Sequence, residues 1–118
     1  LGRTPAHLTH LYRNTNVYTL IYNEYMKIAG FDWDNGNWPK CGKHGVSREE
    51  IERLFLEGQA RVAPDLKHTT PTESRHIAAG RVDGRAMFVA FAFRGDFIRP
   101  ISARYMHAKE ASNYETST

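Results

Sequence analysis

The 118-residue chain has 16 Lys and Arg against 13 Asp and Glu, a formal net charge of +3 at pH 7 and a single cysteine, Cys41. This length allows one domain with a modest core and excludes a large multi-step enzyme, and one cysteine excludes both an intrachain disulfide and a thiolate zinc cluster. The basic balance favours anionic partners, and since no apolar stretch approaches the roughly 20 residues that span a bilayer, we expect a soluble cytoplasmic protein with no membrane partner.

The first 25 residues are rich in Thr, Asn and Tyr and lack a sustained apolar period. We interpret residues 1–25 as an N-terminal extension of uncertain order that need not belong to the native domain, and we place the domain at residues 26–118. A short strand is predicted within 27–33, KIAGFDW. Gly36, Pro39 and Gly42 then limit residues 34–43 to a loop with one helical turn.

The clearest local signal is the start of a helix after KHGVS. Ser47 stands three residues before Glu50, which is the spacing of a capping box, and apolar Val46 precedes it in the position of a hydrophobic staple. Ile51, Leu54 and Phe55 then recur at helical spacing. We therefore predict a helix from about residue 48 to residue 56.

Strands dominate the remainder of the chain. QARVAPDL predicts a short strand broken by Pro64, and KHTTPTES predicts a polar loop. Three apolar runs at 75–82, 85–93 and 97–105 are separated by Asp83-Gly84 and by Arg94-Gly95-Asp96, which are hairpin signals. A terminal helix within 106–115 completes an α+β fold, with a small antiparallel sheet of about four to five strands, a C-terminal meander and two to three short helices.

Basic residues bracket the apolar centres of these three runs, with only Asp83 and Asp96 among them. They are Arg75, Arg81, Arg85, Arg94, Arg99, Arg104 and Lys109. Strand ends lie along the rims of a meander, and the guanidinium group matches phosphate through its planar paired donors. We expect the set to bind phosphate. Taken one at a time, each of these arginines fits solubility charge and strand-edge protection better than phosphate binding.

The histidines beyond residue 26 do not follow a metal-site pattern. The spacing of His44, His68, His76 and His107 matches no helix-borne metal motif, and none has a nearby carboxylate in the arrangement that zinc hydrolases need. We predict no metal and no other cofactor. His44 beside Lys43 is the suggestive pair, because imidazole moves protons near neutral pH while an ammonium holds negative charge. The alternative is that His44 packs against the sheet and Gly45 simply allows the turn.

Several chemistries have no support in the sequence. It contains no Walker phosphate loop, no GxSxG elbow and no GxGxxG dinucleotide motif. Lys, His, Arg, Glu and Tyr nevertheless suffice for metal-free RNA cleavage, in which the ribose 2′-OH attacks the adjacent phosphate. Cationic donors stabilise the charge on phosphate, and a base and an acid move the protons.

Five segments together resemble one family. They are FDWD at 31–34, KHGVS with the following EE near 43–50, RHIAAGR at 75–81, PISARYMHAKE at 100–110, and the Tyr-Glu pair at 114–115. Over roughly residues 31–115 the chain is similar to BrnT-like toxins of bacterial type II toxin–antitoxin systems, which are RelE-like ribonucleases. It departs from the common pattern at NGNWPKCG, which puts the first helix of the family in doubt.

The resemblance implies an endoribonuclease that arrests growth and is neutralised by a BrnA-like ribbon-helix-helix antitoxin. It also implies that promoter DNA is bound only by the toxin–antitoxin complex, for which a heterotetramer is one assembly. By motif position we assign proton transfer to His44 and the scissile phosphate to Lys43 and Arg104. Arg75 and Arg81 would clamp or track the substrate, and Arg81 is counted with Lys43, His44 and Arg104 among the catalytic residues.

The rim residues complete the predicted site. We assign further RNA contacts to Arg85, Arg94, Arg99 and Lys109, together with Arg75. One alternative is a catalytically inactive binding module that pairs with a ribbon-helix-helix repressor. Another is a domain that binds RNA only electrostatically.

Overall fold

The computed structural model describes residues 12–14, 17–19, 28–57 and 60–116, which form one sheet and two α-helices. The strands are β1 Tyr12–Asn14, β2 Val17–Thr19, β3 Gly30–Phe31, β4 Arg61–Pro64, β5 Arg75–Val82, β6 Arg85–Arg94 and β7 Phe97–Tyr105. The helices are α1 Arg48–Leu56 and α2 Ala108–Thr116, and a 3-10 turn spans Lys40–Gly42. The predicted α+β class is confirmed. Neither helix in the described part of the chain is long and apolar enough to cross a membrane.

The sheet has the strand order β1-β2-β4-β5-β6-β7-β3. Every neighbouring pair is antiparallel except β3 with β7, which run parallel over Gly30–Phe31. Strands β3 to β7 correspond to the predicted runs, although β3 is only two residues long. Strands β1 and β2 lie in the predicted N-terminal extension, and β2 pairs with β4 at Tyr18↔Val62 and Thr19↔Arg61. The division of the chain at residue 25 stays a prediction.

Helix α1 begins where the capping box predicts. The Ser47 hydroxyl accepts from the Glu50 backbone N–H at 3.1 Å, and the Glu50 carboxylate accepts from the Ser47 N–H at 2.9 Å. The apolar side chains of the helix fall on one face and are fully buried: Ile51, Leu54 and Phe55. The ring of Phe55 lies 5.0 Å from the ring of Phe91 on β6, so α1 covers one face of the sheet.

Both predicted turns of the meander are present. Asp83 and Gly84 have φ of 51° and 79°, which is the conformation of a two-residue hairpin with two left-handed positions. Gly95, with φ of 60°, lies between β6 and β7. Helix α2 follows within the predicted segment. The three long strands are therefore held in register by turns that the local sequence determines.

Strand β6 separates the two faces of the sheet. Met87, Val89 and Phe91 are fully buried on the α1 side, whereas Phe88 and Ala90, which alternate with them, are only half buried. The second face is thus apolar at its centre but is not sealed by a helix along its length. This open face contains the candidate site.

Candidate active site

A cleft of about 560 Å³ lies on the open face of the sheet. Its apolar floor comes from Ile77 on β5, from Phe88 and Ala90 on β6, and from Ile101 on β7. Seven charged or titratable side chains surround this floor: Lys43, His44, Asp65, His68, Arg75, Arg104 and Glu110. We call this arrangement the cleft. A groove with an apolar floor and three cations on its border suits a nucleotide, whose base has an aromatic face and whose phosphate is anionic.

A β-bulge shapes the floor of the cleft. Ala90 pairs with Ser102 and Phe91 pairs with Pro100, so Ile101 is an extra residue on β7. Ile101 and Ser102 at this register shift both line the cleft, together with the next two residues of β7, Ala103 and Arg104. The bulge was not predicted from the sequence.

Lys43 and His44 reach the cleft from the turn before α1. The turn needs a left-handed residue, which is Gly45 with φ of 88°, and its N–H donates to the Gly42 carbonyl at 3.0 Å. Val46 is buried immediately afterwards and fixes the chain to the core. Because the side chains of Lys43 and His44 are both exposed and line the cleft, they remain accessible to a substrate.

Arg104 enters the cleft from β7 and is held by α2. Its two terminal nitrogens donate to the two oxygens of Glu110 at 2.8 and 2.9 Å, and the guanidinium lies 4.9 Å from the ring centre of Phe88. The hydrogen bond to Glu110 raises the pKa of Arg104. The same bond, with the His107 backbone N–H, lowers the pKa of Glu110 to about 2. Arg104 is therefore a fixed bidentate donor whose present acceptor is a carboxylate.

Arg75 also lines the cleft, but it shares an acidic partner with Arg94. Glu73 accepts from Arg75 Nε at 2.9 Å through one oxygen, and from Arg94 Nε and Nη2 at 3.1 and 3.0 Å through the other. Burial raises the pKa of Glu73, and the hydrogen bonds from both arginines outweigh that effect, so the pKa is lowered overall. One carboxylate thus partly neutralises two predicted phosphate ligands.

The other predicted RNA ligands lie outside the cleft. Arg99 donates to both oxygens of Asp34 at 3.0 and 3.1 Å, Arg81 donates to the Gly84 carbonyl at 2.6 Å, and Arg85 lies 3.4 Å from the ring centre of Tyr105. Lys109 is exposed on α2. The structure thus brings Lys43, His44, Arg75 and Arg104 together, and it does not bring Arg81, Arg85, Arg94, Arg99 or Lys109 into the same cleft. The roles of all nine residues stay predictions.

Sequence reasoning missed three residues of the cleft. Glu110 faces Arg104, and His68 Nδ1 lies 2.8 Å from Asp65 Oδ2 in the turn after β4. The pairing of His68 with Asp65 was not predicted from the sequence. The available signal was the spacing of Asp65 and His68, which are three residues apart in a polar turn.

The described residues do not form a cluster of metal ligands. In 12–14, 17–19, 28–57 and 60–116, no three His, Cys, Asp or Glu side chains are grouped so that they could hold an ion. The side chains that line the cleft supply imidazole, ammonium, guanidinium, carboxylate and hydroxyl groups.

Comparison with known proteins gives one match. Residues 33–110 match the family model described as ribonuclease toxin, BrnT, of type II toxin-antitoxin system. No curated protein and no solved structure matches the chain. The matched segment contains all seven charged or titratable residues of the cleft.

Proposed function

This chain belongs to the BrnT family of ribonuclease toxins of type II toxin–antitoxin systems, and from that premise we propose that it is a metal-independent endoribonuclease that cleaves RNA in the cytoplasm and inhibits growth. The observation that supports the proposal best is the convergence of Lys43, His44 and Arg104 in one cleft. They comprise one group that can move protons and two cations that can bind phosphate. Lys43 and His44 come from the turn before α1, and Arg104 comes from β7.

The proposed reaction is transphosphorylation within RNA. The ribose 2′-oxygen attacks the adjacent phosphorus while His44 accepts the proton of the 2′-OH. Lys43 and Arg104 stabilise the negative charge that develops on the non-bridging oxygens. The apolar floor of the cleft limits solvent and so strengthens this electrostatic stabilisation. The bond to the 5′-oxygen then breaks and leaves a cyclic phosphate.

Arg104 can bind a phosphate without a change in the orientation of its guanidinium group. Its two terminal nitrogens already donate in parallel to two oxygens of one anion, and a phosphate offers two oxygens in the same arrangement. We therefore infer that the scissile phosphate replaces the Glu110 carboxylate on Arg104. Phe88, which lies beneath the guanidinium, provides an aromatic surface near the position of a base.

Arg75 and Arg81 would extend phosphate binding along β5. Both are on the open face, because they alternate with the buried Ala78 and Val82. Arg75 would clamp the strand next to the cleft, and Arg81 would contact a more distant phosphate. RNA contacts of Arg85, Arg94, Arg99 and Lys109 would lie further out. Those of Arg94 and Arg99 require phosphate to compete with Glu73, Asp34 and Asp32.

Membership of a type II system implies a protein antitoxin. We propose that this partner is a BrnA-like ribbon-helix-helix protein, and that the chain contacts promoter DNA only within their complex. A heterotetramer of two toxins and two antitoxins would satisfy the two-fold symmetry common in such repressors.

The test is induced expression of the full chain while growth and RNA integrity are followed, with cleavage by the purified chain assayed in the presence of a chelator. We expect growth arrest and cleavage that survives chelation. His44→Ala and Arg104→Ala should abolish both effects, and Lys67→Ala, an exposed cation outside the cleft, should not. Full arrest by folded His44→Ala and Arg104→Ala chains would overturn the assigned roles.

The main alternative is an inactive binding module that retains the fold. The ion pairs that already occupy Arg104 and Arg75 favour it, because they reduce the capacity of the cleft for phosphate. A folded, abundant wild-type chain that leaves growth and RNA unchanged, yet binds the antitoxin, would support the binding module against the ribonuclease.

A further inference from the structure

The second histidine of the cleft is held by a carboxylate. His68 and Asp65 lie in the turn between β4 and β5, with Nδ1 of His68 2.8 Å from Oδ2 of Asp65. The Asp65 side chain is only 11% exposed, whereas the His68 side chain is 61% exposed. The pair therefore consists of a sheltered carboxylate and an accessible imidazole, and both line the same cleft as Lys43 and His44.

The position of Asp65 is fixed by the start of β5. The Asp65 backbone N–H donates to the Arg75 carbonyl at 2.8 Å. The Thr69 hydroxyl donates to the Asp65 carbonyl at 2.8 Å and accepts from the Arg75 N–H at 3.0 Å. These bonds tie both ends of the turn to one residue of the sheet, so the imidazole of His68 is oriented by a rigid partner.

The carboxylate determines which ring nitrogen faces the cleft. Asp65 accepts the Nδ1–H of His68, which leaves Nε2 as the nitrogen that can exchange a proton with a substrate. The sequence neighbour of His44 is instead the cationic Lys43.

Transphosphorylation needs two proton transfers, and His44 accounts for one. We propose that His68 is the second catalytic residue, the general acid that protonates the departing 5′-oxygen, and that Asp65 is its positioning residue. This inference rests on the proposed ribonuclease function. The bond between the 2′-oxygen and phosphorus forms, the bond from phosphorus to the 5′-oxygen breaks, His44 takes the 2′-OH proton, and Nε2 of His68 gives its proton to the 5′-oxygen.

The test uses a leaving group that does not need an acid. A synthetic RNA oligonucleotide covering one site cut by the wild-type chain is made with a 5′-oxygen and, separately, with a 5′-sulfur at the scissile position. A thiolate leaves without protonation, so the sulfur substrate bypasses the general acid. Both are assayed with and without purified ribosomes, using wild-type, His68→Ala, His68→Asn and His44→Ala chains. Asn keeps an N–H donor for Asp65 but cannot transfer a proton.

We expect both His68 variants to lose about 10²-fold or more in kcat on the oxygen substrate and to regain nearly wild-type rates on the sulfur substrate. His44→Ala should be slow on both. Asp65→Asn should lower kcat with little change in KM, and the sulfur substrate should restore it. Lys67→Ala, on the same turn but outside the cleft, should behave as wild type on both.

Two results would overturn the inference while leaving the proposed function intact. One is wild-type cleavage of the oxygen substrate by folded His68→Ala, and the other is an equal loss on both substrates, which would indicate a structural role. If the wild-type chain cuts no RNA under any condition, the proposed function itself fails and the role of His68 fails with it.

Discussion

Arg104 illustrates how one side chain can serve both structure and function. Its bond to Glu110 holds α2 against the open face of the sheet, and it also occupies the donors that a phosphate would need. Removing the competing carboxylate should therefore expose the guanidinium to substrate. The ion pair is partly exposed, so its free energy is small and phosphate can displace it.

We predict that Glu110→Gln increases RNA affinity about two- to fivefold, because the neutral amide competes less well for Arg104 and no longer repels phosphate. Binding is measured with a 2′-O-methyl oligonucleotide, which lacks the attacking hydroxyl. Glu49→Gln is the matched control, since it removes one exposed carboxylate of α1 outside the cleft. An equal gain in both variants would show that net charge alone is responsible.

Tyr105 gives a second prediction, this time on stability. Its hydroxyl donates to Oε2 of Glu50 at 2.6 Å, and this bond is the main reason that the pKa of Glu50 is lowered from 4.5. Burial and the same bond raise the pKa of Tyr105 above 10.0. The stabilisation of the fold by this hydrogen bond is therefore fully present between pH 4.5 and pH 10.0 and is lost as the pH falls through the lowered pKa of Glu50.

Tyr105→Phe should reduce the free energy of unfolding by about 1 kcal/mol at pH 7. The difference from wild type should shrink as the pH falls below 4.5, because the unfolded chain then protonates Glu50 and the folded carboxylate follows. Urea unfolding at pH 7 and pH 3 measures both values. A difference that stays constant with pH would mean that the lost interaction is packing and not the hydrogen bond.

At the scale of elements, the start of α1 controls both the helix and the cleft. The capping box of Ser47 and Glu50 ends the turn that presents Lys43 and His44, and Glu50 also accepts from Tyr105 on β7. A single glutamate therefore links the helix start to the sheet. Weakening the cap should loosen the segment that leads to the candidate catalytic pair.

Ser47→Ala should lower the free energy of unfolding by about 1 kcal/mol, because the Glu50 backbone N–H loses its acceptor. Ser47→Thr keeps a hydroxyl at the cap and should lower the free energy of unfolding by only a small part of that amount. Chemical denaturation of the three chains provides the comparison. Equal destabilisation by Ala and Thr would place the effect in packing around Ser47 and not in the cap.

The sequence predicts these elements well because their signals are local. Ser47 with Glu50 determines the helix start, and Asp83-Gly84 determines the tightest hairpin. The β-bulge at Ile101 could not be predicted, since it depends on how two strands pair and no glycine marks it. The strand β3 was predicted, but its length of two residues was not, because that length depends on where the chain leaves the edge of β7.

At the scale of the whole molecule, the surface formed by the C-terminal half is less positive than its sequence suggests, because acidic residues from outside the segment 75–109 pair with its arginines. Arg99 pairs with Asp34, which is 65 residues away in sequence, and Arg94 and Arg75 share Glu73. A count of charges between residues 75 and 109 finds only two acids and cannot include these partners. Of the five residues that the resemblance placed on one surface, Lys43, His44, Arg75 and Arg104 line the cleft and Arg81 does not. Only the fold distinguishes these four from the arginines held elsewhere.

This distribution of charge predicts how RNA binding depends on salt. If phosphates contact chiefly Lys43, Arg75 and Arg104, the logarithm of the association constant should fall with the logarithm of salt concentration with a slope of about −2, since each contact with single-stranded RNA contributes about −0.7. Titrations of the 2′-O-methyl oligonucleotide over a range of salt concentrations measure this slope.

Lys43→Ala should make the slope shallower by about 0.7, and Lys67→Ala should leave it unchanged because Lys67 is exposed outside the cleft. Arg99→Ala distinguishes RNA contacts confined to the cleft from RNA contacts along the whole arginine-rich sheet. If Arg99 remains bound to Asp34 in the complex, its loss frees that carboxylate and lowers stability without changing the slope. A slope much steeper than −2, reduced equally by all three substitutions, would instead mean that RNA binds along the whole arginine-rich sheet, including the rim residues that the sequence analysis assigned to it.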